Sequence, residues 1–471
     1  SLFGGSAWEW EPARGQYYLH NFLATQPDLD FHNPDVRRAM LDNVRFWLER
    51  GVDGLRLDSI NFCFHDQQLR DNPPKPPEKR IGRGFSPDNP YAAQYHWYNN
   101  TRPENLDFLV ELRDLFNQFP GTVTLGEIAS EDSLQTMAEY TNSQRLHMSY
   151  SFELLSSDFS AAHIRTTVEQ LLERMSDGWP CWAISNHDVE RVVSRWGGAK
   201  PAAPLANQLT AMVCSLRGSV CVYQGEELGL TEAEVPYEAL KDPYGIAFWP
   251  NFKGRDGCRT PMPWDDTARA GFSTVEPWLP IPANHRALAV SVQDRDPTSS
   301  LGGFRHFMRW RQSQPALCHG DIRFLDTPEP VATALNYVLG TVPAGSGASH
   351  ILGTLKALVV FAPMRTSGRC HNRSTPCSAN TARLGRGCVL VHALAHAPTD
   401  GMQNLPAALA RPLHQRRVVT LADGLTRMID RLQTAPPRPL RRHYQTPYPR
   451  PPPARPLVPR PESRIPNPEK L

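Results

Sequence analysis

GVDGLRLD, residues 51–58, decides the fold, because it has the pattern of a buried strand that ends in a carboxylate. Arg56 lies two residues before Asp58, so on a strand both side chains point to the same face. A nearby arginine keeps a carboxylate ionised, as a nucleophile requires at neutral pH. The carboxyl end of a barrel strand is also where a (β/α)8 enzyme places its chemistry. A structural Arg–Asp pair that closes a strand–loop junction explains this octapeptide equally well.

Two further apolar runs end in polar side chains of the same kind. TVTLGE (residues 122–127) ends in Glu127, and CWAISNHD (residues 181–188) ends in His187 and Asp188. A helix cap would explain one strand-end acid, but it does not explain three in succession. Three carboxylates at three strand ends predict a glycosidase, with a nucleophile, an acid–base group and a stabiliser of an oxocarbenium-like transition state.

These motifs give the chain a family resemblance. It resembles the α-glucosidases of the α-amylase superfamily (glycoside hydrolase family 13), the group that includes oligo-1,6-glucosidases. The motifs that carry the resemblance, in order, are GVDGLRLDSINFCFHD (51–66), TLGEIAS (124–130), SNHDVER (185–191), VYQGEELGL (222–230) and GRDGCRTPMPW (254–264). QPDLD (26–30) is similar to the QPDLN segment of the oligo-1,6-glucosidase branch, although its last residue differs. The resemblance extends from about Leu2 to about Val331.

The resemblance implies a role for each strand-end residue. Asp58 is expected to attack the anomeric carbon and form a glycosyl ester, and Arg56 is expected to orient it. Glu127 is expected to protonate the departing oxygen and later to deprotonate water, which requires a raised pKa. Asp188 and His187 are expected to hold the sugar hydroxyls while positive charge builds on the ring. The implied substrate is a small oligosaccharide or another α-glucoside.

The last motif supplies two more candidate residues. Arg255 resembles the arginine that closes the pocket for terminal glucose, where the family pairs it with an Asp near the first strand. That Asp and the family's DxxxNH motif lie outside this sequence, so we expect Arg255 to be an unpaired surface charge. Arg259 is expected to be structural. Residues 224–226 fit either the rim of the pocket or a tight turn.

The order of the predicted elements indicates a parallel sheet. Helices are predicted at 34–50, 103–119, 131–141, 163–175, 203–217 and 301–313, and strands at 52–58, 122–127, 146–152, 181–186 and 219–224. Strands that alternate with helices form a parallel sheet with right-handed crossovers. The resemblance identifies these as strands four to eight of a (β/α)8 TIM barrel, so we expect a partial barrel of the α/β class. A five-strand arc leaves one parallel edge unpaired and the interior open to water, which predicts instability.

The first predicted helix has clear boundary signals. Asn33 is a favourable N-cap, and Pro34 suits the first turn. The apolar stripe of this helix is predicted to consist of Val36, Met40, Val44, Trp47 and Leu48.

Composition and motif content divide the chain into four parts. Residues 1–33 resemble the end of the family's inserted loop domain, and residues 34–312 are the predicted partial barrel. Residues 313–365 resemble a remnant of the family's C-terminal β-domain. Residues 366–471 show no sustained strand alternation. Their Pro- and Arg-rich end, with PPPARPLVPRPESRIP (451–466), predicts disorder or polyproline II.

Charge and cysteine content limit the partners and the compartment. There are 50 Lys and Arg residues against 48 Asp and Glu residues, so we expect neither a nucleic acid nor a membrane surface as partner. No apolar run approaches the roughly 18 residues of a membrane span, and residues 1–10 contain neither a signal peptide nor an initiator Met. Nine cysteines without CxxC pairs fit free thiols in a reducing compartment better than a disulfide framework, which favours a cytoplasmic protein, with a secreted protein as the alternative.

The predicted chemistry needs no organic cofactor and no catalytic metal. His65, His96 and His147 have no partners at metal-ligand spacing, so we interpret them as structural or loop residues. A structural calcium ion would be expected only in the N-terminal loops that the family places before this sequence begins.

Residue 59 bears on linkage specificity. In the family, a bulky Val after the nucleophile accompanies α-1,6 cleavage, and a smaller residue accompanies α-1,4 cleavage. Ser59 therefore favours short α-1,4 substrates such as maltose. The alternatives are an oligo-1,6-glucosidase, a transglucosidase that uses the same ester, and a catalytically inactive, truncated family member. Retention of all five strand-end residues argues against the inactive alternative.

Overall fold

The computed structural model describes residues 1–80, 89–175, 177–197 and 203–325, together with the backbone of three later strands. The strands are β1 (Trp8–Glu11), β2 (Gln16–Leu19), β3 (Gly54–Leu57), β4 (Val123–Ile128), β5 (Met148–Ser151), β6 (Trp179–Trp182), β7 (Ser219–Val220), β8 (Asp321–Leu325), β9 (Ala332–Gly340), β10 (Leu352–Phe361) and β11 (Val389–His392). The helices are α1 (Pro34–Leu48), α2 (Glu104–Asn117), α3 (Ser133–Tyr140), α4 (Ala161–Arg174), α5 (Val192–Gly197), α6 (Ala203–Val213), α7 (Pro243–Ala247), α8 (Ala283–Ala287), α9 (Val290–Gln293), α10 (Ser300–Gln312) and α11 (Pro315–His319).

A five-stranded parallel sheet forms the centre of the fold. Its strands follow chain order, β3-β4-β5-β6-β7, with at least one helix between each strand and the next. This arrangement confirms the prediction of a partial barrel with helical crossovers. In the parallel register Leu57 lies opposite Gly126, and Glu127 lies opposite Tyr150. The carboxyl ends of β3, β4 and β5 therefore meet, which brings together side chains that are far apart in sequence.

Helix α1 begins as predicted but ends differently. The Asn33 side chain accepts a hydrogen bond from the backbone N–H of Asp35, and Pro34 occupies the first turn. The helix ends at Leu48 rather than at residue 50. The prediction that Trp47 lies on the buried stripe is wrong, because its side chain is 52% exposed. Among the described residues α1 packs against α2, and Trp47 is not among the side chains of α1 that join the main core.

The main hydrophobic core lies between the sheet and helices α2, α3, α4 and α6. Its fully buried side chains include Leu109, Met137, Ile164, Val168, Leu171 and Val213. A smaller cluster contains buried Tyr150, Leu155, Cys181 and Ala183. Side chains on a strand alternate between the two faces, so β5 can contribute to the helix side with one residue and to the smaller cluster with the next. The smaller cluster holds Tyr150 beside the strand ends.

The last two strands of the parallel sheet are shorter than predicted. The apolar run at 181–186 was predicted as a strand, but β6 covers Trp179–Trp182. The predicted strand 219–224 is paired only at Ser219–Val220. Hydrophobicity predicts burial, and residues 183–186 beyond β6 are indeed buried although they have left the strand, whereas residues 221–224 beyond β7 are half-buried or exposed. An apolar run therefore locates these strands without defining where pairing stops.

Strands β8 to β11 form an antiparallel sheet in the order β11-β10-β9-β8. The prediction that residues 366–471 are irregular throughout is wrong at Val389–His392, because this segment pairs with β10. A four-residue strand held by a partner about 30 residues away has no local alternation that a sequence pattern could reveal. The rest of 366–471, including the predicted disordered end, lies outside the described residues. Among the described helices, none is both long and apolar enough to cross a membrane.

Substitution of two neighbouring leucines of α4, Leu171 and Leu172, tests which side chains belong to the core. Leu171 is fully buried, whereas Leu172 is only partly buried against the same cluster. We expect Leu171→Ala to lower the free energy of unfolding by about 3 kcal/mol, because it leaves a cavity. Leu172→Ala should cost about 1 kcal/mol. Urea unfolding at constant m value measures both, and equal losses would contradict the assigned core.

Candidate active site

One guanidinium joins the ends of β3, β4 and β5. Arg56 Nη1 donates to Asp58 Oδ1, and Arg56 Nη2 lies 2.8 Å from Glu127 Oε1. The same Nη2 donates to the Tyr150 hydroxyl at 2.9 Å. Burial alone would lower the pKa of Arg56, but the negative charge of Glu127, together with the contacts to Tyr150 and Asp58, outweighs burial and raises the pKa. Arg56 is therefore a permanent cation between the two carboxyl groups.

The two carboxyl groups that Arg56 joins have different surroundings. The Asp58 side chain is 76% exposed, whereas that of Glu127 is 5% exposed. Burial raises the pKa of Glu127, and the charges of Asp58 and Asp188 raise it further. Arg56 and a backbone hydrogen bond from Ser59 oppose that rise without cancelling it. An accessible carboxylate beside a buried carboxyl of raised pKa is the pair that a nucleophile and a general acid require.

Ser59 has a backbone conformation that serves this pair. Its φ is +40°, in the left-handed region that residues other than glycine seldom adopt. The turn directs the Ser59 N–H to Glu127 Oε2 at 3.1 Å, with the Ser59 hydroxyl at 3.5 Å from the same oxygen. Strained residues cluster at functional sites, where surrounding contacts hold them in place. Here the strained residue directly follows the predicted nucleophile.

A second group of charges surrounds Asp188. Arg255 Nη1 and Arg259 Nη2 each donate to Asp188 Oδ1 at 2.9 Å. His187 Nε2 lies 3.3 Å from Asp188 Oδ2, and burial lowers the pKa of the imidazole, so His187 is neutral at neutral pH. The charges of Arg56 and Asp58 also affect the pKa of His187, which shows that the two groups lie near one another. All six predicted site residues therefore belong to these two neighbouring groups.

The expectation that Arg255 is an unpaired surface charge is wrong. Its guanidinium forms a two-pronged pair with Asp242, with Nη2–Oδ1 at 2.8 Å and Nε–Oδ2 at 3.0 Å. The Asp242 carboxylate is fully buried. Burial alone would raise the pKa of Asp242, but hydrogen bonds from Arg255 outweigh it and hold the pKa below its ordinary value. The chain thus supplies its own partner for Arg255, 13 residues earlier.

Arg259, expected from the sequence to be structural, holds the third strand-end motif in place. Its Nε donates to the His187 carbonyl at 2.7 Å, while its Nη2 reaches Asp188. This one side chain therefore fixes both the backbone and the carboxylate of the third strand-end motif.

Residues 224–226 form a tight turn, one of the two structures left open by the sequence. Gly225 has a φ of +94°, and a Cβ there would lie 2.6 Å from Arg191 Nη1, so glycine is required. Glu226 is buried, and this burial raises its pKa to about 8. Arg191 Nη1 donates to the Gln224 carbonyl and secures the turn.

Three contacts of the site were not predicted from the sequence. They are the Tyr150 hydroxyl, the Asp242 carboxylate and the Ser59 backbone N–H. For Asp242 there was a local signal, since Asp before Pro243 is a typical helix N-cap, and its Oδ1 accepts from Tyr244 N at 3.2 Å. No local signal exists for Tyr150, because its hydroxyl acquires a role only through strand register.

A cavity of about 670 Å³ opens where the loops after β4 and β5 meet. Its lining includes Ser130 and Glu131 after β4, Phe152 after β5, and the stacked rings of Tyr95 and Trp97. Aromatic faces beside polar groups suit a sugar ring. Within the described part of the chain, no group of three or more His, Cys, Asp or Glu side chains is arranged to hold a metal ion.

A comparison of two ion pairs, Arg255–Asp242 and Lys253–Glu234, tests whether the Asp242 carboxylate is buried. We expect Asp242→Asn to lower the free energy of unfolding by about 3 kcal/mol, because it leaves Arg255 without its buried counter-charge. The exposed pair Lys253–Glu234 provides the control, and Glu234→Gln should cost less than about 0.5 kcal/mol. Urea unfolding of the two variants measures the difference. Similar small losses in both would mean that the Arg255–Asp242 pair is solvated.

Comparisons with known proteins agree with this architecture. Residues 1–320 match the family described as "Alpha amylase, catalytic domain". The chain is 51% identical over 331 residues to "Probable alpha-glucosidase" of Rhizobium meliloti (strain 1021), covering 69% of this chain and 60% of that protein. It is 30% identical over 374 residues to "Oligo-1,6-glucosidase" of Parageobacillus thermoglucosidasius, covering 72% of this chain and 64% of that protein.

A solved structure is similar at the level of the fold. It is the crystal structure of an "alpha-glucosyl transfer enzyme", with a TM-score of 0.71 and 62% sequence identity, covering 77% of this chain and 65% of that chain. The chain thus spans less than two thirds of the length of each of these relatives. With the family matched over 320 residues of a 471-residue sequence, the chain belongs to the α-amylase family of glycoside hydrolases.

Proposed function

We propose that these residues form the catalytic centre of a retaining α-glucosidase that removes terminal glucose from short oligosaccharides or other α-glucosides. The observation that carries the proposal is the contact of one guanidinium, Arg56, with an exposed carboxylate, Asp58, and with a buried carboxyl of raised pKa, Glu127. A retaining mechanism needs these two groups close together. The names of the relatives, α-glucosidase and oligo-1,6-glucosidase, support the same reaction.

The proposed reaction is a double displacement. In the first step an oxygen of Asp58 attacks the anomeric carbon, the bond to the leaving oxygen breaks, and Glu127 gives its proton to that oxygen. In the second step Glu127 takes a proton from water, the water oxygen bonds to the anomeric carbon, and the ester to Asp58 breaks. Asp188, held by two arginines, stabilises the positive charge that develops on the sugar ring in both steps.

Transfer of glucose to another hydroxyl is a second candidate. The 62% identity to a protein named as an alpha-glucosyl transfer enzyme favours it. The same ester would form, and the hydroxyl of an alcohol or sugar would replace water in the second step. Ser59, a small residue beside the proposed nucleophile, supports a preference for α-1,4 linkages in either reaction.

Turnover of 4-nitrophenyl α-glucoside by the purified chain tests the proposal. We expect Asp58→Asn to reduce nitrophenol release about a thousandfold or more, because no ester can form. Asp53→Asn changes an exposed carboxylate at the opposite end of the same strand and should leave the rate unchanged. Comparing nitrophenol with free glucose in the presence of added glycerol, an acceptor that is not itself a glucoside, distinguishes hydrolysis from transfer, since transfer gives less free glucose than nitrophenol.

Two outcomes would contradict the proposal in different ways. Wild-type rates in the Asp58→Asn variant would remove Asp58 from the role of nucleophile. No turnover by any of the three proteins, all folded, would favour the alternative of an inactive family member.

We propose further that the enzyme needs no organic cofactor, binds neither nucleic acid nor membrane, and works in the cytoplasm. The support for a reducing compartment is that the described cysteines are free, although the sulfurs of Cys181 and Cys221 lie 3.6 Å apart. We expect all nine cysteines of the sequence to be titratable as thiols after denaturation without reductant. A titre of seven thiols or fewer would indicate a disulfide and would contradict the proposed compartment.

A further inference from the structure

We propose that Tyr150 is a positioning residue that sets the protonation of Glu127, an inference that rests on the proposed acid–base role of that carboxyl. Tyr150 lies on β5, directly opposite Glu127 in the parallel register. Its hydroxyl donates to Glu127 Oε1 at 3.0 Å. The sequence motifs of the site do not include this residue, and the double displacement outlined above makes no use of it.

The ring of Tyr150 is held firmly enough to fix this contact. Its side chain is buried in the smaller hydrophobic cluster with Leu155, Cys181 and Ala183. Only the hydroxyl emerges from the apolar surroundings, at the point where β4 ends. Because both residues are in paired strands, the backbone ladder sets the distance between hydroxyl and carboxyl.

Arg56 determines which way the hydroxyl proton points. A phenol has one proton to donate, and its oxygen can accept other hydrogen bonds. Arg56 Nη2 donates to the Tyr150 oxygen at 2.9 Å, so the phenolic proton is left to point at Glu127 Oε1. The hydroxyl therefore acts on the carboxyl as a donor, and a donor stabilises the ionised form.

The same contacts distinguish the two oxygens of Glu127. Oε1 accepts from both Arg56 and the Tyr150 hydroxyl, whereas Oε2 accepts from the N–H and the hydroxyl of Ser59. Tyr150 is therefore one of the donors that favour the ionised form of Glu127, and in this proposal it limits how far burial raises the pKa of that carboxyl.

The test measures the pKa of Glu127 directly, so it does not depend on turnover. In protein labelled with 13C at the glutamate carboxyl, the Glu127 resonance is assigned by its loss in Glu127→Gln and followed against pH. We expect Tyr150→Phe to raise this pKa by about one unit, as befits the loss of one hydrogen bond to a charged group. The alkaline limb of kcat/KM for 4-nitrophenyl α-glucoside should move upward by the same amount, because Glu127 keeps its proton to higher pH.

Tyr140→Phe is the matched control. Tyr140 is also a buried tyrosine, and its hydroxyl accepts from Asn105 at 3.0 Å, away from the charged groups of the site. The control should lose stability without changing the pKa of Glu127. A purely structural role for Tyr150 would make its variant behave like the control, with an unchanged pKa, and that result would overturn the proposal.

A second variant covers the case in which Tyr150→Phe does not fold. Incorporation of 3-fluorotyrosine at position 150 keeps the packing but makes the hydroxyl a stronger donor, so the pKa of Glu127 should fall. An unchanged or raised value in that variant would also overturn the proposal. The outcomes separate the two hypotheses: shifted pKa values without turnover contradict only the proposed function, and turnover that depends on Asp58 with unshifted pKa values contradicts only the role of Tyr150.

Discussion

The contact on which the site depends is that of Arg56 with two carboxyl groups of unequal burial. Bringing a second negative charge next to a buried carboxyl raises its pKa, and burial does so independently. Arg56 lies between Asp58 and Glu127 and offsets part of both effects, but the pKa of Glu127 still lies above its ordinary value. The strand register determines this geometry, because Arg56 and Asp58 share one face of β3 and Glu127 lies on the adjacent strand.

The group around Asp188 also balances opposite charges, but here two cations contact one carboxylate instead of one cation contacting two carboxyl groups. One carboxylate near the site is shared by two arginines, and one of these, Arg255, is in turn held by the fully buried Asp242. Removing a charge from such a group leaves an uncompensated ion in a poorly solvated place. Two anions and two cations therefore hold one another in place. In the proposed mechanism Asp188 faces the sugar, and these contacts keep its carboxylate in a fixed position.

The sequence was most informative where function and local pattern coincide. The helix–strand alternation and the three acidic strand ends could be predicted, because a parallel strand and the loop that follows it have local signatures. The partners of Arg255, the contact of Arg259 with Asp188, and the hydroxyl of Tyr150 could not be predicted in the same way. Each of these contacts joins two segments that are separated in the sequence, and the local sequence of one segment does not indicate that it contacts the other. The exposed Trp47 shows the same limit, since helical periodicity predicts an apolar stripe but not which neighbour covers it.

A raised pKa does not by itself distinguish the proposed acid from its neighbours. Burial also raises the pKa of Glu226 to about 8 and that of Glu232 to about 7. Glu226 is enclosed behind the turn at Gly225, and Glu232 accepts from the backbone N–H of Arg191, while the charge of the exposed Glu234 raises the pKa of Glu232 further. Glu127 differs because it ends a strand next to Asp58 and shares a cation with it. A position at a strand end, with one cation shared between the buried glutamate and an exposed carboxylate, is therefore a better mark of a candidate for proton transfer than burial or a neighbouring charge alone.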